Sequence, residues 1–233
     1  MHNPYHGIEV AKNITDSVIV MFSGGKDSVC TLDLCAKHFK QVQPVFMYLG
    51  PILSFQQAQL KWAEDRYGTE ILKVPHPMLA EWFRYGTFKA APDLSVSIIS
   101  FLDVYTYARV KTNIWWIAAG ERIDDSIVRR AMIKGDGGSV NEQRGRFFPV
   151  AYWSKQQILN YIKLKRLKTA PESKILGFSY RSLMPADMAA IKEHYYQDFL
   201  KLSAWFPLLG ASVAKHEFSQ ERTDNEREKT NAE

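Results

Sequence analysis

Cysteine is scarce in this sequence, and long apolar runs are absent. The 233 residues include two cysteines, Cys30 and Cys35, which lie five positions apart in one predicted helix. This spacing is poor for a mutual disulfide, and no set of Cys and His residues has the spacing of zinc ligands, so no zinc is expected. No run reaches the length of about eighteen apolar residues that a membrane span needs. Met1 to Glu9 lacks a basic segment followed by an apolar run, so no secretory signal is expected and the predicted location is a reducing cytoplasm.

The charge balance is mildly basic, with a net charge of +5 at neutral pH and with Lys and Arg spread along the chain. An enzyme for anionic nucleotides and a nucleic-acid-binding protein would both show this excess, so charge alone does not separate the two classes. The composition, 46% hydrophobic and 24% charged, is that of a folded domain with a sizeable core.

Predicted strands alternate with predicted helices. The β-branched run at 17–22 ends at a glycine pair and indicates a buried strand, after which Ser28 is expected to cap a helix through about His38. Further strands are expected at 44–48, 70–74, 114–119 and 147–150, and further helices at 54–67, 99–111, from 124, at 154–165 and at 185–200. This alternation predicts an α/β fold, a doubly wound, Rossmann-like parallel sheet of about five strands with helices on both faces.

Three regions are expected along the chain. Residues 1–170 hold the α/β nucleotide-binding domain, and residues 171–218 form a helical C-terminal extension packed on it. Residues 219–233 are polar and charged, with no aliphatic or aromatic side chain other than Ala232. Such a composition is typical of a disordered tail.

The strongest local pattern is a loop between the first strand and its helix, with the sequence Ser23, Gly24, Gly25, Lys26, Asp27 and Ser28. Adjacent glycines let a backbone turn sharply and approach an anion, and the free N–H groups of the helix start point at that anion. The serine hydroxyls donate hydrogen bonds, Lys26 adds positive charge, and Asp27 is a candidate Mg²⁺ ligand. The glycine spacing matches neither the Walker A pattern nor the Rossmann fingerprint.

Ser-Gly-Gly-Lys-Asp-Ser after a hydrophobic strand resembles the PP-loop of the ATP pyrophosphatases, also called adenine nucleotide α-hydrolases. The resemblance implies a doubly wound sheet, ATP held with Mg²⁺ on the loop, and attack at the α-phosphate with release of pyrophosphate. It also implies that backbone after the second strand, near Met47, reads the adenine.

A second pattern follows the fourth strand, from Gly120 to Arg130. It resembles the Gly-x-Arg-x-Asp-Glu-Ser-x-x-Arg stretch of phosphoadenosine phosphosulfate (PAPS) reductases and of the small subunit of sulfate adenylyltransferase. Arginine donates parallel bonds to sulfate and phosphate, and ligands of open α/β folds sit at the carboxyl edge of the sheet. The nucleotide-contacting residues expected from this stretch are Gly120, Arg122, Ser126, Arg129 and Arg130. The alternative interpretation is a solvated, charged helix start.

A third stretch, 148–162, resembles a structural segment of the same branch, but the chain departs from the reductases in its cysteines. No cysteine follows Cys35, so the C-terminal thiol of PAPS reductases has no counterpart. Two cysteines are too few for the four thiolates of an iron–sulfur cluster, so no such cluster is expected.

Three functions therefore stand open. The first is an AMP-forming enzyme, with Lys26, Asp27 and Arg122 as catalytic residues and a small or macromolecular acceptor. The second is a PAPS- or APS-binding protein or nucleotide-binding subunit without chemistry, working as a homodimer or with a partner subunit. The third is nucleic-acid modification through basic stretches at 82–89 and 163–168, for which a solvated lysine face is the preferred interpretation.

Overall fold

The computed structural model describes residues 5–177, 179–180 and 182–231. Its strands are β1 (Ser17–Met21), β2 (Gln41–Tyr48), β3 (Leu72–Pro75), β4 (Ile117–Ala118), β5 (Val140–Asn141) and β6 (Arg146–Phe147). Its helices are α1 (His6–Ile14), α2 (Lys26–His38), α3 (Ser54–Tyr67), α4 (Pro77–Tyr85), α5 (Phe101–Thr112), α6 (Ile127–Gly135), α7 (Lys155–Lys165), α8 (Ser173–Leu176), α9 (Pro185–His194), α10 (Tyr196–Trp205) and α11 (Leu209–Asn231). Across these residues, no helix is long and apolar enough to cross a membrane.

The strands form one sheet with the order β3-β2-β1-β4-β6-β5, in which only the edge strand β5 is antiparallel. The order reverses between β1 and β4, because β2 and β3 extend the sheet to one side and β4 and β6 to the other. Ligand sites of such folds lie at this switch point, outside the carboxyl ends of the strands. The predicted doubly wound α/β fold is confirmed.

Two apolar clusters cover the two faces of the sheet. One face packs Val18, Val20 and Phe22 against helices that include α2, α3 and α7, and the other packs Ile19 and Met21 against α5 and α6. Alternate residues of β1 thus point to opposite layers, as a strand buried on both faces requires. A third cluster joins α3 and α4 to the C-terminal helices through residues such as Leu53, Leu202 and Phe206.

Several elements differ from the sequence-based expectation. Helix α2 begins at Lys26 with Gly25 as its N-cap, so Ser28 lies inside the first turn. The predicted helix 185–200 is interrupted at Tyr195, whose φ of −139° is not helical. The break sets Asp198 against the start of α3, where its carboxylate accepts hydrogen bonds from the Ser54 backbone at 2.9 and 3.0 Å. Strand β5 lies in a stretch where the sequence predicts neither a strand nor a helix.

Residues 219–231, expected as disordered, continue α11 in the structure, and residues 232–233 lie outside the described part of the chain. Leu209 and Val213 anchor the start of this helix in the third cluster. Beyond them the segment is rich in Gln, Glu, Arg and Lys, which are good helix formers, and it contains neither Gly nor Pro. Helix-forming residues therefore favour continuation of the helix beyond Val213, where Glu217 also pairs with Lys192 of α9 at 2.9 Å.

Candidate functional site

The phosphate loop crosses from β1 to α2 and is closed by its own side chains. The Ser28 hydroxyl donates to the Gly25 carbonyl at 3.0 Å and accepts from the Ser23 backbone N–H at 3.2 Å. The two serine hydroxyls are 3.1 Å apart. Gly24 has a φ of +78°, a conformation that side chains disfavour. The loop is thus held in the shape that exposes the first N–H groups of α2, which have no partners within the helix.

The charged residues of the loop are paired with each other and with Arg122. The Asp27 carboxylate contacts the Lys26 ammonium through Oδ2 and lies 2.9 Å from Arg122 Nε through Oδ1. The contact between Asp27 Oδ1 and Arg122 Nε is an ion pair whose angles fall outside hydrogen-bond geometry. A cation that binds Asp27 has to share it with these two groups. Lys26 is the partner free to leave, since its side chain is 33% exposed.

Arg122 lies beneath the loop rather than on its surface. It is 4% exposed, and its Nη1 donates to the Trp153 carbonyl at 3.0 Å while Nη2 pairs with Asp125. All three nitrogen positions of the guanidinium therefore face protein groups. The structure places this predicted catalytic residue against Asp27, Asp125 and the Trp153 carbonyl.

Gly120 brings the end of β4 against the start of α2. A Cβ on Gly120 would lie 3.0 Å from the Asp27 carbonyl carbon and the Ser28 nitrogen, both of them backbone atoms. The two predicted motifs therefore meet at the switch point of the sheet, and glycine is the residue that lets them approach.

The other residues predicted from the second motif lie on the exposed rim. Ser126 caps α6 by accepting from the Arg129 N–H at 3.1 Å. Arg129 pairs with Glu121 at 2.7 Å, and the Arg130 Nε donates to the Ile123 carbonyl at 3.3 Å. Both guanidinium groups remain exposed, so either can reach an anion at this edge.

Met47 lies near the end of β2, half-buried, in register with Val74 of the neighbouring strand. It packs in the cluster on one face of the sheet, while Phe46 packs on the other. Phe46 lines a small recess beside Ser23 and Gly24. This edge is where the sequence analysis expects adenine to be read.

A C-terminal segment that sequence reasoning did not assign to the site closes over the loop. The Ala170 N–H donates to the Gly24 carbonyl at 3.1 Å, and Gln59 Nε2 donates to the Lys168 carbonyl at 2.9 Å. A Cβ on Gly25 would lie 2.9 Å from the hydroxyl of Ser179. No local pattern in the sequence indicates these contacts, because each joins residues more than a hundred positions apart.

Glu172 was also missed. Its side chain lines the recess beside Ser23 and Gly24 and is 2% exposed. Its Oε1 accepts from the Tyr180 N–H at 3.1 Å, and its Oε2 has no hydrogen-bond partner among the residues that the structure describes. Burial raises the pKa of this carboxyl above its ordinary value. A protonated Glu172 can donate a hydrogen bond into the recess.

Both cysteines are buried in α2. Burial raises the pKa of the Cys30 thiol to about 12 and raises that of Cys35 as well. Neither thiol is an ionised nucleophile at neutral pH. The aromatic residues Trp82 and Phe83 pack against Phe206, with ring centroids 5.8 and 5.7 Å away.

Solved structures of low sequence identity are similar to this chain. PAPS reductase from Candida auris, in a phosphate complex, matches with a TM-score of 0.53 and 16% identity over 78% of this chain and 87% of that chain. The U34-tRNA thiolase from Methanococcus maripaludis, solved with its [4Fe-4S] cluster, gives 0.49 and 17% over 88% and 79%. The NH3-dependent NAD synthetase from Campylobacter jejuni, in complex with nitrate, gives 0.41 and 14% over 93% and 96%.

The thiolase corrects one prediction. An iron–sulfur cluster was excluded because the sequence has two cysteines, yet a protein similar to this chain is solved with a [4Fe-4S] cluster. The exclusion is therefore wrong as it was drawn. The number of cysteines gives the thiolate ligands that this sequence contains. It does not show which cofactors are bound by proteins of similar structure.

The family assignment comes from the sequence. No curated protein matches the chain. The sequence profile described as the phosphoadenosine phosphosulfate reductase domain matches residues 17–172, which contain the phosphate loop, Gly120, Arg122 and the edge of β2. The predicted resemblance to the PAPS reductase branch of the PP-loop proteins is confirmed. With two thirds of its length matched, the chain belongs to the phosphoadenosine phosphosulfate reductase domain family.

Proposed function

We propose that this protein binds ATP on the phosphate loop and catalyses an AMP-forming reaction at the α-phosphate. The observation that carries the proposal is the joining of the loop to the second motif at the switch point, through Gly120 and the Arg122–Asp27 pair. Two elements that we propose to bind anions thus meet at the switch point of the sheet. Neither cysteine is an accessible thiolate, which favours phosphate chemistry over the thiol chemistry of a reductase.

In the proposed reaction, an oxyanion of the acceptor attacks the α-phosphorus of ATP. The bond from that phosphorus to the oxygen bridging to the β-phosphate breaks, pyrophosphate leaves, and the acceptor carries AMP. Sulfate, a carboxylate or an amide oxygen has the required nucleophilic oxygen. The loop N–H groups would hold the phosphate oxygens and stabilise the charge that develops on them.

Lys26 and Asp27 are proposed to change partners when ATP binds. Lys26 would leave Oδ2 of Asp27 and turn to the phosphates, and the released carboxylate oxygen would be available to Mg²⁺, which neutralises phosphate charge when bound. Arg122 would stay on Oδ1, because it is buried and held by Trp153 and Asp125. Arg129 and Arg130 are the exposed cations that could contact the acceptor or the pyrophosphate.

The test is to incubate the protein with Mg²⁺ and α-labelled ATP, with and without sulfate, and to separate AMP, ADP and APS. We expect AMP or APS with stoichiometric pyrophosphate, and we expect Lys26→Ala to lose it. Lys40→Ala is the matched control, because Lys40 forms an exposed pair with Asp16 far from the loop. ADP as the only product would contradict the proposal.

A second candidate is a protein that holds PAPS or APS without turning it over. The buried, protonated cysteines favour it, since a reductase-type site without a thiolate would still bind its nucleotide. Tight binding of PAPS by calorimetry, weakened by Arg129→Ala or Arg130→Ala and accompanied by no AMP from ATP, would select this candidate over the first.

A further inference from the structure

Four cations lie exposed in the six residues that end α7 and follow it. They are Lys163, Lys165, Arg166 and Lys168, which we call the basic strip. No ion pair of the described residues includes any of them, although many other Lys and Arg side chains of the chain are paired. No Asp or Glu occurs between Glu142 and Glu172. Like charges packed this closely, without counter-charges in the chain around them, favour an external polyanion.

The basic strip runs directly to the phosphate loop. The Lys168 carbonyl accepts from Gln59 at 2.9 Å, and two residues later the Ala170 N–H donates to Gly24 at 3.1 Å. Two residues of chain span at most about 7 Å, so the Cα of Lys168 lies within that distance of the Cα of Ala170, the residue bonded to the loop. A solvated lysine face on a remote helix would not have this placement.

The strip is fixed at its other end by α3. Arg66 Nη2 donates to the Lys165 carbonyl at 3.2 Å, and the Arg66 guanidinium lies 5.7 Å from the rings of both Trp62 and Tyr67. Cations next to aromatic rings are typical of surfaces that follow a single nucleic-acid strand. In the other basic stretch considered in the sequence, 82–89, Trp82 and Phe83 pack against the third cluster, and Lys89 lies 4.2 Å from the centre of the Phe83 ring.

From this arrangement we propose that the basic strip binds the phosphodiester backbone of single-stranded RNA and that RNA is the acceptor brought to the phosphate loop. The identity of the acceptor rests on the proposed function, whereas binding of RNA by the strip does not. An unpaired stretch is the fitting substrate, because its bases can be splayed out to reach a recessed site. A base inside a duplex cannot reach such a site without being flipped.

The experiment measures binding of the full chain to a fluorescein-labelled, mixed-sequence RNA of twenty nucleotides by anisotropy over a range of salt concentrations. The strip variant replaces all four cations with Gln. The matched control replaces four exposed cations elsewhere, for which no ion pair is described, and so removes the same charge: Lys12, Lys111, Lys134 and Lys215. Circular dichroism confirms that both variants are folded.

We expect the strip variant to lose at least tenfold in RNA affinity and the control to change less than threefold. Since each phosphate contact with a single strand contributes about 0.7 to the slope of log Kd against log salt, the strip variant should lower that slope by up to about 3. Equal weakening in both variants would overturn the proposal. So would tighter binding to a DNA duplex of equal length, or binding only to phosphatidylserine vesicles.

ATP binding, measured by calorimetry on the same preparations, separates the two proposals. The strip variant should bind ATP like the wild type, while Lys26→Ala should lose ATP and keep RNA. If the wild type binds RNA through the strip but binds no ATP, the proposed function fails and strip binding stands. If it binds ATP but no RNA, both RNA binding by the strip and the acceptor proposal fail, and the proposed function is not affected. When the protein binds both ATP and RNA, the label on the α-phosphate of ATP should be transferred to the RNA. If the RNA stays unlabelled, RNA is not the acceptor.

Discussion

The Arg122 guanidinium and the Asp27 carboxylate form an ion pair, with 2.9 Å between Nε and Oδ1. The pair links the loop that follows β4 to the loop that follows β1, which are the two strands on either side of the switch point. Because Arg122 is also held by Trp153 and Asp125, it fixes the direction of the Asp27 carboxylate. We therefore propose that Arg122 positions Asp27 in the proposed site.

We expect Arg122→Ala to lower the free energy of unfolding by about 3–5 kcal/mol, because it leaves the Asp27 and Asp125 carboxylates without their buried cation. Arg122→Lys should recover part of this stability but little ATP affinity, since an ammonium cannot reproduce the planar contacts of the guanidinium. Urea unfolding and ATP calorimetry measure the two effects. An Arg122→Lys protein with wild-type ATP affinity would show that positioning is not its role. The control, Lys40→Ala, removes an exposed ion pair and should leave stability and ATP affinity close to those of the wild type.

The contact between Gly120 and the start of α2 makes a second prediction. In Gly120→Ala the new methyl would meet backbone atoms of Asp27 and Ser28 at 3.0 Å, and neither can move without disturbing the loop. We expect a loss of about 1–3 kcal/mol in stability and at least tenfold in ATP affinity.

Gly210→Ala is the control for this substitution, since Gly210 lies in α11 with no atom within 4 Å of its added Cβ. Alanine there should leave ATP binding unchanged and stabilise the helix by about 0.5–1 kcal/mol. If Gly120→Ala bound ATP as tightly as Gly210→Ala, the close approach would not matter to the site.

The parts of the site that sequence could predict are those encoded locally. A β-branched run, a glycine pair and a capped amphipathic helix each leave a short-range pattern, so β1, the loop and α2 were predicted from residues 17–38. The second motif could be placed beside the loop because the carboxyl ends of parallel strands share one edge of the sheet. The pairing of Arg122 with Asp27, however, depends on side-chain directions that no pattern specifies.

The remaining contacts depend on partners far along the chain. Ser179 beside Gly25, Ala170 on Gly24 and the buried Glu172 all come from a segment without regular periodicity. Asp198 ends up against Ser54, 144 positions away, and the helix break at Tyr195 accompanies that contact. Tertiary contacts of this kind override helix propensity, and they cannot be found from a single sequence.

A pH dependence is expected from Asp33, which is 2% exposed on α2 and accepts hydrogen bonds from Tyr161 at 2.7 Å and Tyr67 at 3.1 Å. Burial by itself would raise its pKa, but the hydrogen bonds from Lys37 and Tyr161 outweigh burial and hold the pKa below its ordinary value. The folded-state pKa is thus lower than the unfolded one. Its stabilisation is present above the unfolded pKa of about 4 and is lost as the pH falls through the folded value.

Asp33→Asn should therefore destabilise the protein by about 2–3 kcal/mol at pH 7, where the charged hydrogen bonds are intact. The difference from wild type should shrink as the pH is lowered below about 4, because the carboxyl then gains a proton first in the unfolded state and, at its lower folded pKa, in the folded state too. Urea unfolding at several pH values measures this difference. Asp16→Asn, the control, alters an exposed ion pair with Lys40 and should change the free energy of unfolding by less than about 1 kcal/mol. If the difference in the free energy of unfolding between wild type and Asp33→Asn were the same at pH 7 and pH 3, the pH dependence would not come from Asp33.

The buried cysteines give the last prediction. Because burial raises the pKa of Cys30 to about 12, and raises that of Cys35 too, neither should react with a disulfide reagent within minutes at pH 8 in the folded protein, and both should react in urea. Ser97→Cys places a thiol at an exposed position and should react at once, which controls for the reagent. Cys30→Ser should keep ATP affinity within about twofold, since the thiol contacts the Ile158 carbonyl, not the crevice. Rapid labelling of Cys30 in the folded state, with loss of ATP binding, would instead return thiol chemistry to this site.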